Sequence, residues 1–312
     1  MTRALVFPGQ GSQFVGMGKS LAEAYEPARL VFEEVNDALS QDLSKIMWEG
    51  PEDELRLTEN TQPALMAVSM AVIRTLEDGG VKVADIASHV AGHSLGEYSA
   101  LAAAGAFSLG DTARLLKLRG QAMQRAVPVG EGAMAAILGL SMEDVNAVVE
   151  AASQGEVVVS ANDNADGQVV VSGHKAAVER AIELAKEKGA KRGMLLPVSA
   201  PFHCPLMKPA ADEMKAALAE VTIERPCIPV IANVVAAPLT EPEGIASLLV
   251  EQVTGSVRWR ESVASMSSLG IDTMVEIGAG KVLSGLARRI DRSLATANIQ
   301  EPADIEAFTS AL

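Results

Sequence analysis

Short apolar runs alternate with longer amphipathic stretches through the first 127 residues of the chain. Arg3 to Phe7 is a β-like run that ends in the turn sequence "PGQGSQ" at 8–13. Helical periodicity follows around 18–39 and 63–78, where Pro63 suits a first turn and Gly79-Gly80 a stop. Ile86 to Ala91 reads as a buried strand. Glu97 to Phe107 reads as a helix of small residues with its acid near the N-terminus, and another helix is predicted from about 110 to 126. Strands alternating with helices imply a mostly parallel sheet covered on both faces.

The pattern changes between Pro128 and Ser199. Strands are predicted at 132–140, 156–162, 168–173 and 190–199, with helices at 141–153 and 174–189. That order, βαββαβ, is the ferredoxin-like unit. The expected class is therefore α/β: a core with a mostly parallel sheet, formed by 1–127 and 199–312, carrying an inserted small domain at 128–198. Beyond the insert, 229–237 and 272–280 read as strands and 281–292 as a helix. The last twenty residues are polar and interrupted by Pro302, and are expected to form a peripheral tail.

Composition narrows the function. With 48% hydrophobic and 21% charged residues, the 312-residue chain resembles an ordinary globular enzyme. A net charge of −14 argues against a general nucleic-acid binder. Local basic clusters remain available to an acidic partner: Lys117 with Arg119, Lys191 with Arg192, and Arg288, Arg289 and Arg292. No apolar run approaches the ~18 residues of a membrane span, and the start of the chain does not read as a signal peptide. Cys204 and Cys227 have no metal or redox spacing, and the four histidines include no H-E-x-x-H. A cytoplasmic protein without metal or cofactor is expected.

One stretch invites chemistry. Gly92-His93-Ser94-Leu95-Gly96 fits G-x-S-x-G, which as a nucleophile elbow needs a strand running in and a helix running out. The same residues also describe a turn closing a strand–helix junction, and spacing does not choose between the two. A nucleophilic serine needs a base. His93 adjoins Ser94 and should point elsewhere as packing support. His203 sits in "SAPFHCPLM", a loop between prolines that can reach back over the sheet edge. Cys204 lacks a second base. The glycine-rich stretches at 9–14 and 278–283 miss the dinucleotide and P-loop patterns.

Six ordered motifs, however, resemble one family along nearly the whole chain: "FPGQGSQFVGMG" (7–18), "TENTQPALMA" (58–67), "AGHSLGEYSAL" (91–101), "LRGQAM" (118–123), "APFHCPLM" (200–207) and "VEIGAGKVLSGL" (275–286). The sequence is similar to the malonyl-CoA:acyl carrier protein transacylases. That resemblance implies an α/β-hydrolase-like core with a ferredoxin-like insert, and transfer of malonyl from malonyl-CoA to an acidic acyl carrier protein for fatty-acid synthesis. It implies Ser94 as nucleophile and His203 as base, with the main-chain carbonyl of Gln252 orienting the histidine. It implies backbone N–H groups of Gln10 and Leu95 as the oxyanion hole and Arg119 as the grip on the malonyl carboxylate. Gln62 and Asn162 match pocket-lining positions, and Phe202 matches malonyl-selective relatives. Ala279 departs from a family proline, away from the chemistry.

Two rivals make different demands. A serine hydrolase of the same core would need a carboxylate on the histidine and an HGGG-type run, which is absent. A silent carrier-protein-binding module would be expected to have lost the serine or the base; both are present.

Overall fold

The computed structural model of the chain describes residues 2–198 and 200–312. Its strands, in chain order, are β1 (Arg3–Phe7), β2 (His89–Gly92), β3 (Gly132–Leu138), β4 (Val158–Ala165), β5 (Gln168–His174), β6 (Arg192–Leu195), β7 (Val230–Ala232), β8 (Ala237–Leu239), β9 (Thr273–Ile277) and β10 (Ala295–Ile299). They form two sheets. The larger has the order β10-β9-β1-β2-β7-β8 and is parallel except for the β7–β8 pair.

Alternation along β1 explains its central place. Leu5 and Phe7 enter one core, with the helices Thr58–Asp78, Gly96–Ala103 and Leu109–Ala126. Ala4 and Val6 enter another on the opposite face, with Trp259–Ser268 and Val282–Ile290. Each large apolar side chain buried this way is worth about 1.5–3 kcal/mol. Because β1 and β2 run parallel, the turn after one and the elbow after the other open at the same sheet edge. The chain leaves β1 toward β2, whereas β9 on the other side of β1 leads away to β10, so the order reverses at β1 and this edge holds a topological switch point, where α/β sheets bind ligands.

The smaller sheet is antiparallel, in the order β4-β5-β3-β6. One face packs against the helices Met142–Ser153 and Lys175–Glu187. Met134 and Val170 point the other way and join the main core. The predicted βαββαβ order is observed, with β6 shorter than expected; Ser199, the last residue of that predicted strand, lies outside the described residues.

Several expectations fail in instructive ways. The last twenty residues are not a tail. β10 pairs in parallel with β9, and Pro302 opens a helix, Pro302–Ser310, capped by Glu301 and Asp304. A proline at a helix start loses no hydrogen bond. Half of β10 faces outward, so it lacks an apolar signature. The predicted strand at 229–237 ends at Ala232, and the chain turns through Asn233 to Ala236 into β8. The strand placed at 86–91 begins only at His89, because Val83–Ile86 is a helical turn. The helix expected from Pro63 begins at Thr58 and takes Pro63 into its second turn, at the cost of one bond to the Glu59 carbonyl. The pattern at 18–39 is two helices broken at Tyr25.

Candidate active site

Ser94 sits on the turn between β2 and the helix Gly96–Ala103, with φ at +54°. Such a conformation is rare for a side-chain-bearing residue and costs energy. Two glycines make it possible. A Cβ at Gly92 would fall 1.9 Å from the Gly96 backbone, and one at Gly96 would fall 2.2 Å from the Phe7 carbonyl oxygen. Asn233 clamps the turn: its Oδ1 accepts the Ser94 N–H at 2.7 Å and its Nδ2 donates to the Gly92 carbonyl at 2.6 Å. The turn of β7 at this residue now has a reason, since its side chain serves the neighbouring elbow.

His203 is also in the left-handed region, at φ +57°, in the loop before the short helix Pro205–Met207. Its Nε2 lies 2.7 Å from Ser94 Oγ, and its Nδ1 lies 2.8 Å from the Gln252 carbonyl oxygen. Gln252 is in the last turn of Pro242–Thr254, where carbonyls lack an intrahelical donor. That accounts for a main-chain oxygen being free to fix the imidazole. Burial, reinforced by the charge of Arg119, pushes the His203 pKa down to about 3.

Arg119 projects from the helix Leu109–Ala126 and is only 1% exposed. Nη1 donates to Gln62 Oε1 at 2.7 Å; Nη2 donates to Gln252 Oε1 at 2.9 Å and to Ser94 Oγ at 3.2 Å. Nε has no hydrogen-bond partner among the described residues, and the Tyr98 ring lies 5.7 Å from the guanidinium carbon. No carboxylate touches the guanidinium among the described residues. A buried cation without a contacting anion is costly, which makes it a receptor for one.

The nearest buried acid is Glu97, 2% exposed and raised by burial to about 7. Its Oε2 accepts from the Asn233 backbone N–H and from Gln252 Nε2, each at 2.9 Å. Asp163 and Asp166 lie elsewhere, at 2.8 and 3.7 Å from Arg260, so neither supplies a hydrolase-type partner for His203. His93 Nε2 donates to Asn164 Oδ1 at 2.8 Å, and the ring meets Trp259 edge-on, consistent with packing support. Cys204 Sγ hydrogen-bonds the Pro201 carbonyl, and burial raises its pKa.

Ser94, His203, Arg119, Gln10, Leu95, Gln62, Asn162 and Phe202 all line one cavity at the switch-point edge, and Gln252 stands behind it. The backbone N–H groups of Gln10 and Leu95 have no partner among the described residues. The Gln10 side chain accepts from Thr58 Oγ1 at 2.9 Å. The small sheet contributes Met134, Asn162 and Val170 to the wall.

The basic clusters separate. Arg119 is buried and Lys117 is held by Asn60 at 2.9 Å, so that pair offers no surface patch. Lys191 and Arg289 converge on one surface groove with Arg260. Sequence reasoning missed Asn233 and the role of Glu97. The available signals were an amide at the end of an apolar strand and an acid within a run of small apolar residues. Among the described residues no cluster could hold a metal ion and no helix could cross a membrane.

Comparison with known proteins adds three findings. A family model described as an acyl transferase domain matches residues 4–301. The malonyl CoA-acyl carrier protein transacylase of Bacillus subtilis (strain 168) is 47% identical over 304 residues, covering 97% of this chain and 95% of that protein. Among solved structures, an acyl-carrier-protein-S-malonyltransferase from Bartonella henselae is 57% identical with a TM-score of 0.98, covering 100% of this chain and 99% of its own. A malonyl-transacylase in complex with a holo type II PKS acyl-carrier protein is 43% identical with a TM-score of 0.97, over 100% of each chain.

Proposed function

The chain belongs to the acyl transferase domain family, in the branch of the malonyl CoA-acyl carrier protein transacylases, and on that premise we propose that its reaction runs through an ester on Ser94. The enzyme transfers the malonyl group from malonyl-CoA to acyl carrier protein.

In the first half-reaction Ser94 Oγ attacks the thioester carbonyl while His203 Nε2 takes its proton. The Gln252 carbonyl holds Nδ1–H, fixing the tautomer that leaves Nε2 free. N–H groups of Gln10 and Leu95 receive the developing oxyanion, a contribution of about 3 kcal/mol per donor. Collapse expels the CoA thiolate, which takes the proton back from His203. In the second half the phosphopantetheine thiol of the carrier gives its proton to His203 and attacks the Ser94 ester. Collapse breaks the Ser94 Oγ–acyl bond, Oγ takes the proton back from His203 Nε2, and the malonyl thioester leaves. Arg119 pairs with the free malonyl carboxylate throughout, with Gln62 beside it and Asn162 and Phe202 bounding the acyl pocket. No step calls on a metal or cofactor.

The observation that carries this reading is the line Ser94 Oγ–His203 Nε2 and His203 Nδ1–Gln252 O, with a buried guanidinium in reach of the same Oγ. Its test is intact mass after mixing with malonyl-CoA. A malonyl adduct should form on Ser94 and vanish when carrier protein is added. Ser94→Ala should fold and form none; an adduct mapped to Cys204 would refute the assignment. We further propose that 128–198 acts as a small domain that walls the acyl pocket against a core of 1–127 and 199–312. The working form is a cytoplasmic monomer feeding fatty-acid elongation, which suits two unpaired cysteines.

A further inference from the structure

We propose that Glu97 is a positioning residue whose single carboxylate oxygen locks the nucleophile and the base into one frame. This inference rests on the reading of Ser94 and His203 given above.

Three separate elements meet at Oε2. Glu97 belongs to the first turn of Gly96–Ala103, Asn233 to the end of β7, and Gln252 to the last turn of Pro242–Thr254. Asn233 carries the clamp on the Ser94 elbow, and Gln252 carries the carbonyl that fixes His203. The bonds to Asn233 N–H and Gln252 Nε2 therefore fasten the two halves of the catalytic pair to one atom. Gln252 Nε2 also donates to the Ser94 carbonyl at 3.0 Å, which closes the loop. Without Oε2, the buried Asn233 N–H has no acceptor and Gln252 loses a bond that sets its side chain. Buried donors left unmet are expensive, so both segments would shift to find partners.

A rival role exists on the same atoms. Gln252 places its Oε1 on Arg119 and its Nε2 on Glu97, so the amide bridges cation and anion. Glu97 could then matter as a counter-charge. The positioning role needs only an acceptor at the Oε2 location. A carboxyl that burial holds near neutrality keeps that acceptor in either protonation state. Arg119 and Tyr98 are the titratable groups whose charges act on it, and His203 is connected to it through Gln252.

The two roles predict opposite orders for two conservative variants. Glu97→Gln keeps an acceptor in place and removes the charge; Glu97→Asp keeps the charge and withdraws the oxygen by about one methylene. The probe is phenylmethanesulfonyl fluoride, which reports on the Ser94–His203 pair without needing Arg119. Labelling rates are read by intact mass and peptide mapping, per folded molecule as scored by circular dichroism. They are paired with kcat and KM for malonyl transfer. The expected result is a severalfold loss in Glu97→Gln against a loss of about 100-fold in Glu97→Asp and Glu97→Ala, since a displacement near 1 Å costs about that much. The loss should fall on kcat and on labelling alike, with KM for malonyl-CoA held. If Glu97→Ala does not fold, the order of the other two decides. Glu97→Asp outperforming Glu97→Gln overturns the proposal in favour of the counter-charge. Lower melting temperatures with wild-type rates per folded molecule reduce Glu97 to a stability role and overturn it as well. Absence of label on Ser94 in the wild-type enzyme would instead break the nucleophile reading, and this inference with it.

Discussion

Arg119 Nη2 stands 3.2 Å from Ser94 Oγ, so the buried cation and the proposed nucleophile address the same small volume. A malonyl ester on Ser94 brings its carboxylate within reach of the guanidinium, whereas an acetyl ester leaves that charge unpaired. Losing one member of a buried charge pair costs about 2–5 kcal/mol, or roughly 30- to several-thousand-fold in rate. Arg119→Ala is expected to lose malonyl transfer by that order while acetyl transfer is retained or improved. Parallel assays with malonyl-CoA and acetyl-CoA check it; equal losses on both would make Arg119 a structural residue.

The carbonyl of Gln252, rather than a carboxylate, faces His203 Nδ1. His203→Ala should slow formation of the Ser94 adduct by about 10²–10⁴-fold. Asp166→Asn should leave it unchanged. Asp163→Asn should leave the adduct rate alone but lower stability by about 1–3 kcal/mol, because a nearly buried carboxylate leaves its partner Arg260 half satisfied. Single-turnover mass spectrometry and thermal melts separate the two effects. A collapse of the adduct rate in Asp163→Asn, with folding intact, would point to a hydrolase-type triad.

The pH dependence has a defined sign. Burial first, and the Arg119 charge second, bring His203 down to about 3. Both causes disfavour the imidazolium, so the base stays neutral well below the ordinary histidine range near 6.5. Adduct formation between about pH 4 and 8 should therefore lack a titration centred near 6.5 that belongs to His203. Arg119→Ala should move the acid limb upward. Stability follows from linkage: between the two values the unfolded chain holds a proton that the folded chain refuses. The His203 contribution to stability thus falls as pH drops from about 6.5 toward 3. Glu97, raised to about 7, acts oppositely: its contribution is lost as pH rises from about 4.5. Melting temperatures of wild type and His203→Asn across this range give the difference.

If an acidic carrier docks at the groove that Lys191, Arg260 and Arg289 share with Asp163 and Asp166, it does so against the unfavourable overall field of an enzyme of net charge −14. Transfer to carrier protein should weaken with added salt, and transfer from malonyl-CoA to a small thiol much less. Arg289→Glu should raise the apparent KM for carrier. Arg288→Glu, on the same last helical turn, should follow it. If neither changes that value, Lys191 and Arg192 are the next pair to reverse.

Local signals made much of this legible from sequence. Gly92 and Gly96 announce a tight strand-to-helix turn because only glycine tolerates the backbone approach there; that Ser94 on this turn acts as a nucleophile came from the motif resemblance. The small antiparallel sheet was legible because each strand alternates or runs apolar, while its helices carry Ser141 and glycine boundaries. What escaped was tertiary. β10 hides because a half-exposed edge strand has little apolar content, and Pro302 looks like a break until it is seen to open a helix. Asn233 hides because its importance lies in the Ser94 amide, far away along the chain. Motif resemblance alone pointed to Arg119, since nothing in a helical arginine says that it is buried.

Gln252 constrains how the pocket can be redesigned. Its main-chain carbonyl accepts from His203, the proposed base, while its side-chain oxygen accepts from Arg119, the proposed grip on the malonyl carboxylate. Replacing Arg119 to admit a neutral or bulkier acyl chain orphans two buried acceptors at once, Gln252 Oε1 and Gln62 Oε1. Each unmet acceptor costs about 1–3 kcal/mol and invites water into the pocket beside a hydrolysable ester. An altered-substrate variant therefore needs a compensating change at Gln62, such as an apolar residue, together with a new donor for the Gln252 amide. A substitution at position 252 keeps the main-chain carbonyl on His203 but strips Arg119 Nη2 of its Oε1 acceptor and Glu97 Oε2 of its Nε2 donor.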